Sequence, residues 1–258
     1  MCEVKSIGKI CSPFKTKFAV PRQSQLVEGI HSKVCLKKSV QPEIALNGIE
    51  RFSHIWLIWH FHLNTNKKYR AKVSPPRSPE EKLGVFATRS PHRPSPIGMS
   101  VVELVEVGKD HVWVKGADLV QDTPILDIKP YIASYDSFPE AKTGWLHAVD
   151  ARLDSVLFSE EFNSAISLEF DQITSGRDFN NSSQFLDFVE SLLLEDPRPK
   201  SFKAKPSLEK VFVMELYNIE IFFEIQNNTA IVSHYKFIRK KKSGNYLDSL
   251  SEIQAQLR

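Results

Sequence analysis

The chain has 258 residues, 41% hydrophobic and 25% charged, with a formal net charge of +3. That is enough to bury a core, as one large domain or two small ones, and no apolar run approaches the roughly 20 residues of a membrane-spanning helix. The small charge does not by itself announce a nucleic-acid binder, and three cysteines (Cys2, Cys11, Cys35) without a CxxC argue for reduced thiols in a cytoplasmic protein rather than a disulfide frame or a zinc site.

The first half reads as β. The first 18 residues hold no continuous apolar stretch, so no secretory signal is expected. Apolar and polar residues alternate over 4–10 and 31–37, as in half-buried strands. Residues 54–63, HIWLIWHFHL, predict a strand buried on both faces. Strand-like runs follow at 83–89, 99–107, 111–118 and 124–131, separated by turn signals, a spacing that suits a barrel or a sandwich.

Near position 150 the character changes. Residues 161–170 predict a short helix and 183–196 a better one, with Phe185, Phe188, Val189, Leu192 and Leu193 on one face. Ser182 or Ser183 is placed as its cap, and Pro197 and Pro199 stop it. Three strand-like runs come next, and QNNT at 226–229 predicts a tight hairpin. The expected organisation is a barrel-like domain over 1–150, a smaller α+β domain over 151–242 and a charged tail over 243–258.

No GxGxxG, Walker A, GxSxG or HExxH motif occurs, which argues against a Rossmann-type nucleotide site. Four stretches could carry chemistry. ATRSPHRPSPIG (87–98) is stiffened by Pro91, Pro94 and Pro96 and presents the forked donors of Arg89 and Arg93. Gly98 suits either an unusual backbone conformation or close approach of a ligand. The alternatives are a rigid surface hairpin and a PxxP ligand. His54, His60 and His62 share a strand face, but Trp56 and Ile58 interrupt it, so no metal site is expected. In DLVQDTPILDIKPY (118–131), Asp127, Lys129 and Tyr131 share a face and could tune proton transfer, or form a structural pair at a strand end. Pro21, Arg22 and Gln23 make a short stiff turn.

SPFKTKFAVPRQ, RFSHIWLIWHFH, GVFATRSPHRPSPIGMSVVEL and DLVQDTPILDIKPY occur in this order. Over about residues 4–147 they closely resemble the TsaA-like (TrmO) family of tRNA methyltransferases. LLLEDPRP and the later strands are similar, more loosely, to the C-terminal domain of its bacterial-type members. The resemblance implies a mainly β fold: an N-terminal β-barrel that binds S-adenosylmethionine without a Rossmann fold, with a smaller α+β C-terminal domain. It implies a homodimer with the cofactor at or near the interface, and methylation of N6 of threonylcarbamoyl-adenosine at position 37 of tRNA, beside the anticodon. By the same resemblance the cofactor site draws on Pro21, Arg22, Gln23, His62, Leu63, Arg89, Met99, Gln121, Asp122, Thr123 and Pro124.

Two positions depart from the family pattern. Asp122 stands where a glycine is usual, and aspartate tolerates a left-handed φ better than most residues. Ser95 replaces the usual asparagine. Asp127 or Tyr131 is the candidate to relieve N6 of its proton, with Lys129 favouring negative charge nearby. RNA contact is expected from Arg93 and, in the second domain, from Arg198, Lys200 and Lys203, with RKKK at 239–242 adding positive charge. The competing functions are a metal-dependent hydrolase built on the three histidines and a non-catalytic RNA-binding barrel.

Overall fold

The structure is a computed structural model that describes residues 4–17, 20–21, 29–64, 69–75, 82–147, 152–174, 176–198 and 211–238. The chain divides into two units, and the division is interleaved. The first takes Met1–Ile10, Lys33–Val114 and Thr123–Ala151; the second takes Cys11–Ser32, Lys115–Asp122 and Arg152–Arg258.

The strands of the first half are β1 (Gly8–Cys11), β2 (His31–Leu36), β3 (His54–His60), β4 (Lys72–Val73), β5 (Leu83–Gly84), β6 (Ile97–Val107), β7 (His111–Lys115) and β8 (Pro124–Pro130). Six of them close a barrel in the order β1-β2-β7-β6-β3-β8, while β4 and β5 form a separate two-stranded hairpin. Closure leaves no unpaired sheet edge. Alternation decides the faces: Ile55, Leu57 and Trp59 of β3 point inward with Val102, Val112, Val114 and Ile125. Helices α1 (Pro42–Ala45) and α2 (Ala133–Asp136) are single turns.

The 83–89 run departs from the expected strand. Only Leu83–Gly84 is extended, and Val85–Ala87 winds into a 3-10 turn.

The second unit is built on β9 (Ser155–Phe158), α3 (Glu160–Ile173), α4 (Ser182–Leu194), β10 (Phe212–Leu216), β11 (Ile219–Gln226) and β12 (Thr229–Phe237), with sheet order β10-β11-β12-β9. Ser159 caps α3 by accepting from the Phe162 N–H. Asn181, one residue before the expected serines, caps α4 by accepting from Gln184 N–H, and the Gln184 side chain accepts in return from Asn180 N–H. Asn227 and Asn228 both take left-handed φ (47° and 61°), the tight hairpin predicted from QNNT. Segment 11–32 joins this unit: Phe14 bridges to Leu216, and Tyr217 N–H donates to the Pro13 carbonyl. The fully buried Asp178 carboxylate accepts from the His31 backbone N–H and from Tyr217 Oη, and lies 2.9 Å from His31 Nδ1. No helix among the described residues is long and apolar enough to cross a membrane.

Candidate functional site

The stiffness of the 85–98 loop comes from its own side chains as well as its prolines. Thr88 Oγ1 donates to the Val85 carbonyl and accepts from Ser90 N–H; Ser90 Oγ accepts from His92 N–H. Arg93 Nη1 donates to the carbonyls of Thr88 (2.6 Å) and Val85 (3.2 Å). Two outside donors clamp the loop: Trp145 Nε1 to Ala87 O at 2.8 Å and Asn64 Nδ2 to Pro91 O at 2.7 Å. The guanidinium of Arg93, expected on RNA, is thus turned back into the loop that carries it. Arg89 is exposed.

Gly98 has a different task from the two expected of it. A Cβ there would lie 2.4 Å from the Trp59 ring. The close approach it permits is that of a core indole, whose Nε1 donates to Ser100 Oγ at 3.1 Å.

Strand register sets the outer face of the barrel wall. Ile58 of β3 pairs with Met99 of β6 on one side and Asp127 of β8 on the other; Trp56 pairs with Val101 and Lys129; His54 pairs with Glu103. Met99 and Asp127 therefore stand two strand spacings apart in one row, on the order of 10 Å. The β3–β8 register shifts between Ile58 and Trp59, leaving Leu126 as an extra residue. That bulge lets Ile125 face the core while Asp127, of the same parity, faces out. Asp127 Oδ2 lies 2.9 Å from Lys129 Nζ, and Asp127 Oδ1 accepts from Ile128 N–H. Tyr131 lies beyond the strand, its ring against Trp56 and His54 (centroids 5.8 and 6.3 Å). So Asp127 and Lys129 meet, and Tyr131 joins an aromatic cluster.

The turn before β8 is ordered by backbone bonds. Asp122 takes φ 63°, the left-handed conformation for which a glycine is the usual residue. Gln121 N–H donates to Phe14 O and its Oε1 accepts from Ser12 N–H, both at 2.8 Å. Asp122 also acts on Lys15. Burial lowers the Lys15 pKa from 10.5 to about 8, against the opposing pull of Asp122, Cys11 and Glu215. Thr123 is buried, with its carbonyl accepting from Ile10 N–H, and Pro124 pairs with Lys9. Pro21 is buried.

Arg22, Gln23, Lys200, Lys203 and the 239–242 cluster lie outside the described residues. Arg198 is held by Asp196 through Nε (2.8 Å) and Nη2 (3.1 Å), with both side chains largely buried. Its guanidinium closes a loop after α4 rather than standing ready for phosphate. His54 opens β3 and His60 closes it, roughly 20 Å apart at strand rise. Among the described residues no group of three His, Cys, Asp or Glu side chains could hold a metal.

The described residues suit S-adenosylmethionine. At one end of the barrel unit, where His60 pairs with Ile97, Leu63 and Met99 leave apolar surface uncovered and Arg89 offers a guanidinium suited to a carboxylate. Asn64 and Trp145, which fix this end, went unnoticed in the sequence. Asn64 had a signal, since it directly follows the HFHL run, but no local pattern ties Trp145 to Ala87.

The tRNA-methyltransferase O N-terminal domain family matches residues 9–137, and the TrmO C-terminal domain family matches 155–237. A tRNA (adenine(37)-N6)-methyltransferase of Escherichia coli is 36% identical over 231 residues, covering 86% of this chain and 93% of that protein. A "Probable S-adenosyl-L-methionine-binding protein" of Pyrococcus abyssi is 43% identical over 166 residues, 62% of this chain and 86% of that one. The crystal structure of TrmO from Pseudomonas aeruginosa superposes with a TM-score of 0.70 at 30% identity, covering 92% of this chain and 98% of that one.

Proposed function

The chain belongs to the TrmO family, and from that premise we propose that it is an S-adenosylmethionine-dependent methyltransferase acting on N6 of adenosine 37 in tRNA, with threonylcarbamoyl-adenosine as the base it accepts. The observation that carries the reading is the E. coli relative, similar across both domains rather than across the barrel alone. S-adenosylmethionine supplies, when bound, a methyl group on a cationic sulfur. The chain's own residues then bind, align and manage a proton.

Arg89 would pair with the methionyl carboxylate, and Leu63, His62 and Met99 would cover the apolar parts. Pro21, Arg22, Gln23, Gln121, Asp122, Thr123 and Pro124 are the further residues that would hold the cofactor. The Arg93-tied loop lowers the ordering cost of binding because its conformation is set beforehand. Asp127 is the group that takes the N6 proton; Lys129, 2.9 Å from its carboxylate, orients it and favours negative charge as it builds. Tyr131 is the second candidate. A nitrogen that is also part of a urea is more acidic than a plain amine, which is why the threonylcarbamoyl group fits so light a catalytic apparatus. The second unit holds tRNA through Lys200 and Lys203, with Arg198 as the anchor of that segment. The protein works as a homodimer in the cytoplasm, a compartment that three cysteines without a CxxC suit.

Mass spectrometry of tRNA nucleosides from cells with and without the protein tests this. The expected result is loss of one N6-methylated, threonylcarbamoylated nucleoside and accumulation of its unmethylated form. Identical nucleoside profiles would overturn the reading; loss of N6-methyladenosine without the threonylcarbamoyl group would overturn only the substrate assignment.

A further inference from the structure

Residues 69–75 and 82–87 hold none of the groups that methyl transfer was given above, yet they are arranged. In the β4–β5 hairpin Lys72 pairs with Gly84 and Val73 with Leu83. One side of the hairpin is satisfied, with Val73 and Val85 buried. Beyond that, Tyr69 and Phe86 are 53% and 73% exposed, and Arg70, Lys72 and Lys82 are exposed as well. Val85 N–H donates to the Ala71 carbonyl at 2.9 Å, so Arg70 and Phe86, each one residue beyond that bond, leave from adjacent backbone.

Phe86 is held rather than loose. It sits in the 3-10 turn whose carbonyls Arg93 ties together, and the Arg93 guanidinium carbon lies 5.7 Å from its ring centroid. Single exposed apolar residues are ordinary. A fixed, exposed aromatic with a guanidinium at its ring, on a segment whose other charged side chains among the described residues are all cationic, is not. Segments 69–75 and 82–99 carry five lysine or arginine side chains and no carboxylate. No ion pair among the described residues engages Arg70, Lys72, Lys82 or Arg89.

We infer that this face of the barrel unit is an RNA surface: Phe86 is the platform on which an unpaired base of the anticodon loop stacks, and Arg70 and Lys72 neutralise phosphates beside it. Single-stranded RNA is recognised by this pairing of aromatic faces with a cationic track. A two-fold symmetric contact with a second copy would set cations against cations, which favours a polyanion as occupant. Phe86 thereby gains a role as a substrate-binding residue and Arg93 as the residue that positions it. The inference rests on the proposed tRNA substrate and names the surface that receives it.

The test uses the full-length protein and tRNA from cells lacking it. Binding is followed by fluorescence anisotropy across a salt series and turnover by steady-state methylation, with S-adenosylmethionine affinity measured by calorimetry. Phe86→Leu is expected to weaken tRNA affinity roughly tenfold and raise the tRNA KM, with cofactor affinity unchanged and Phe86→Trp restoring both. Arg70→Gln with Lys72→Gln is expected to flatten the logarithmic salt dependence by about 1.5. Wild-type affinity and slope in all these variants, with melting temperatures unchanged, would overturn the inference. So would dissociation of a dimer by Phe86→Leu at unaltered tRNA affinity, which would assign the ring to a second copy. A wild-type protein that binds tRNA through Phe86 but transfers no methyl group would sink the proposed reaction and leave the RNA surface standing. One that binds no tRNA would sink both.

Discussion

Trp59 and Gly98 show how one missing methyl group organises a wall of the barrel. The indole fills the space a Cβ would take, and Trp59 is only 9% exposed as a result. Gly98→Ala must push the ring off its bond to Ser100 or shift β6 away from β3. A loss of about 1–3 kcal/mol is expected, the usual cost of overfilling a packed site, read as a lower urea midpoint; an unchanged midpoint would show that the wall yields freely. Lys15 carries a second expectation. Its folded pKa of about 8 lies below the unfolded 10.5. Between those values the unfolded chain holds a proton that the folded chain has released, so the contribution of this group to stability rises with pH across the window. Below pH 8 the buried ammonium costs about 3 kcal/mol. Lys15→Met should therefore melt higher than wild type at pH 7, with the gap closing towards pH 10.5. A constant gap would mean that Lys15 does not titrate there.

The loop from Val85 to Arg93 works as one element because a single guanidinium spans its two ends. Arg93→Lys keeps the charge but loses the planar guanidinium whose Nη1 donates to both carbonyls. Backbone amides of 86–92 should then exchange hydrogen faster, and S-adenosylmethionine affinity should fall by roughly tenfold as the loop's ordering cost returns. Unaltered exchange would place the stiffness in the prolines alone. This element also marks where sequence reading stops. Alternation over 31–37 was legible because the faces of that strand differ in solvent exposure, the runs at 99–107 and after 210 were legible as strands from their apolar content, and the asparagine hairpin was legible because few residues tolerate its backbone. The 3-10 turn was read as strand, since its cause lies up to eight residues away in Arg93. Strand β9 is four residues long, too short for a period to emerge. The bulge at Leu126 was invisible too. The shared face of Asp127 and Lys129 could be read from their spacing, but that this face points outward could not, because Ile125 has the same parity and points in. Phe86 lies in the run expected as a strand over 83–89, and only the fold shows that its side chain is exposed.

At the scale of the whole molecule, the outer face of β3, β6 and β8 leaves Met99, Ile97 and Val105 uncovered, and the α2 segment adds Tyr135 and Phe138. Apolar area of this kind suits a second copy. Sedimentation at micromolar concentration should show one species near twice the 29.5 kDa chain mass, and Met99→Lys should shift it towards monomer; a monomeric wild type would end the dimer reading. The interleaving of the two units bears on something else, the order in which the chain is made. Phe14 is fully buried, and its bridge partner Leu216 follows about 200 residues later. At a synthesis rate of about 5–20 residues per second, strand β10 leaves the ribosome roughly 10–40 s after Phe14 does. Throughout that interval the nascent chain carries a phenylalanine whose partner has not been translated. A ribosome-associated chaperone would find its apolar handle there, at Phe14, long before Leu216 exists to pair with it.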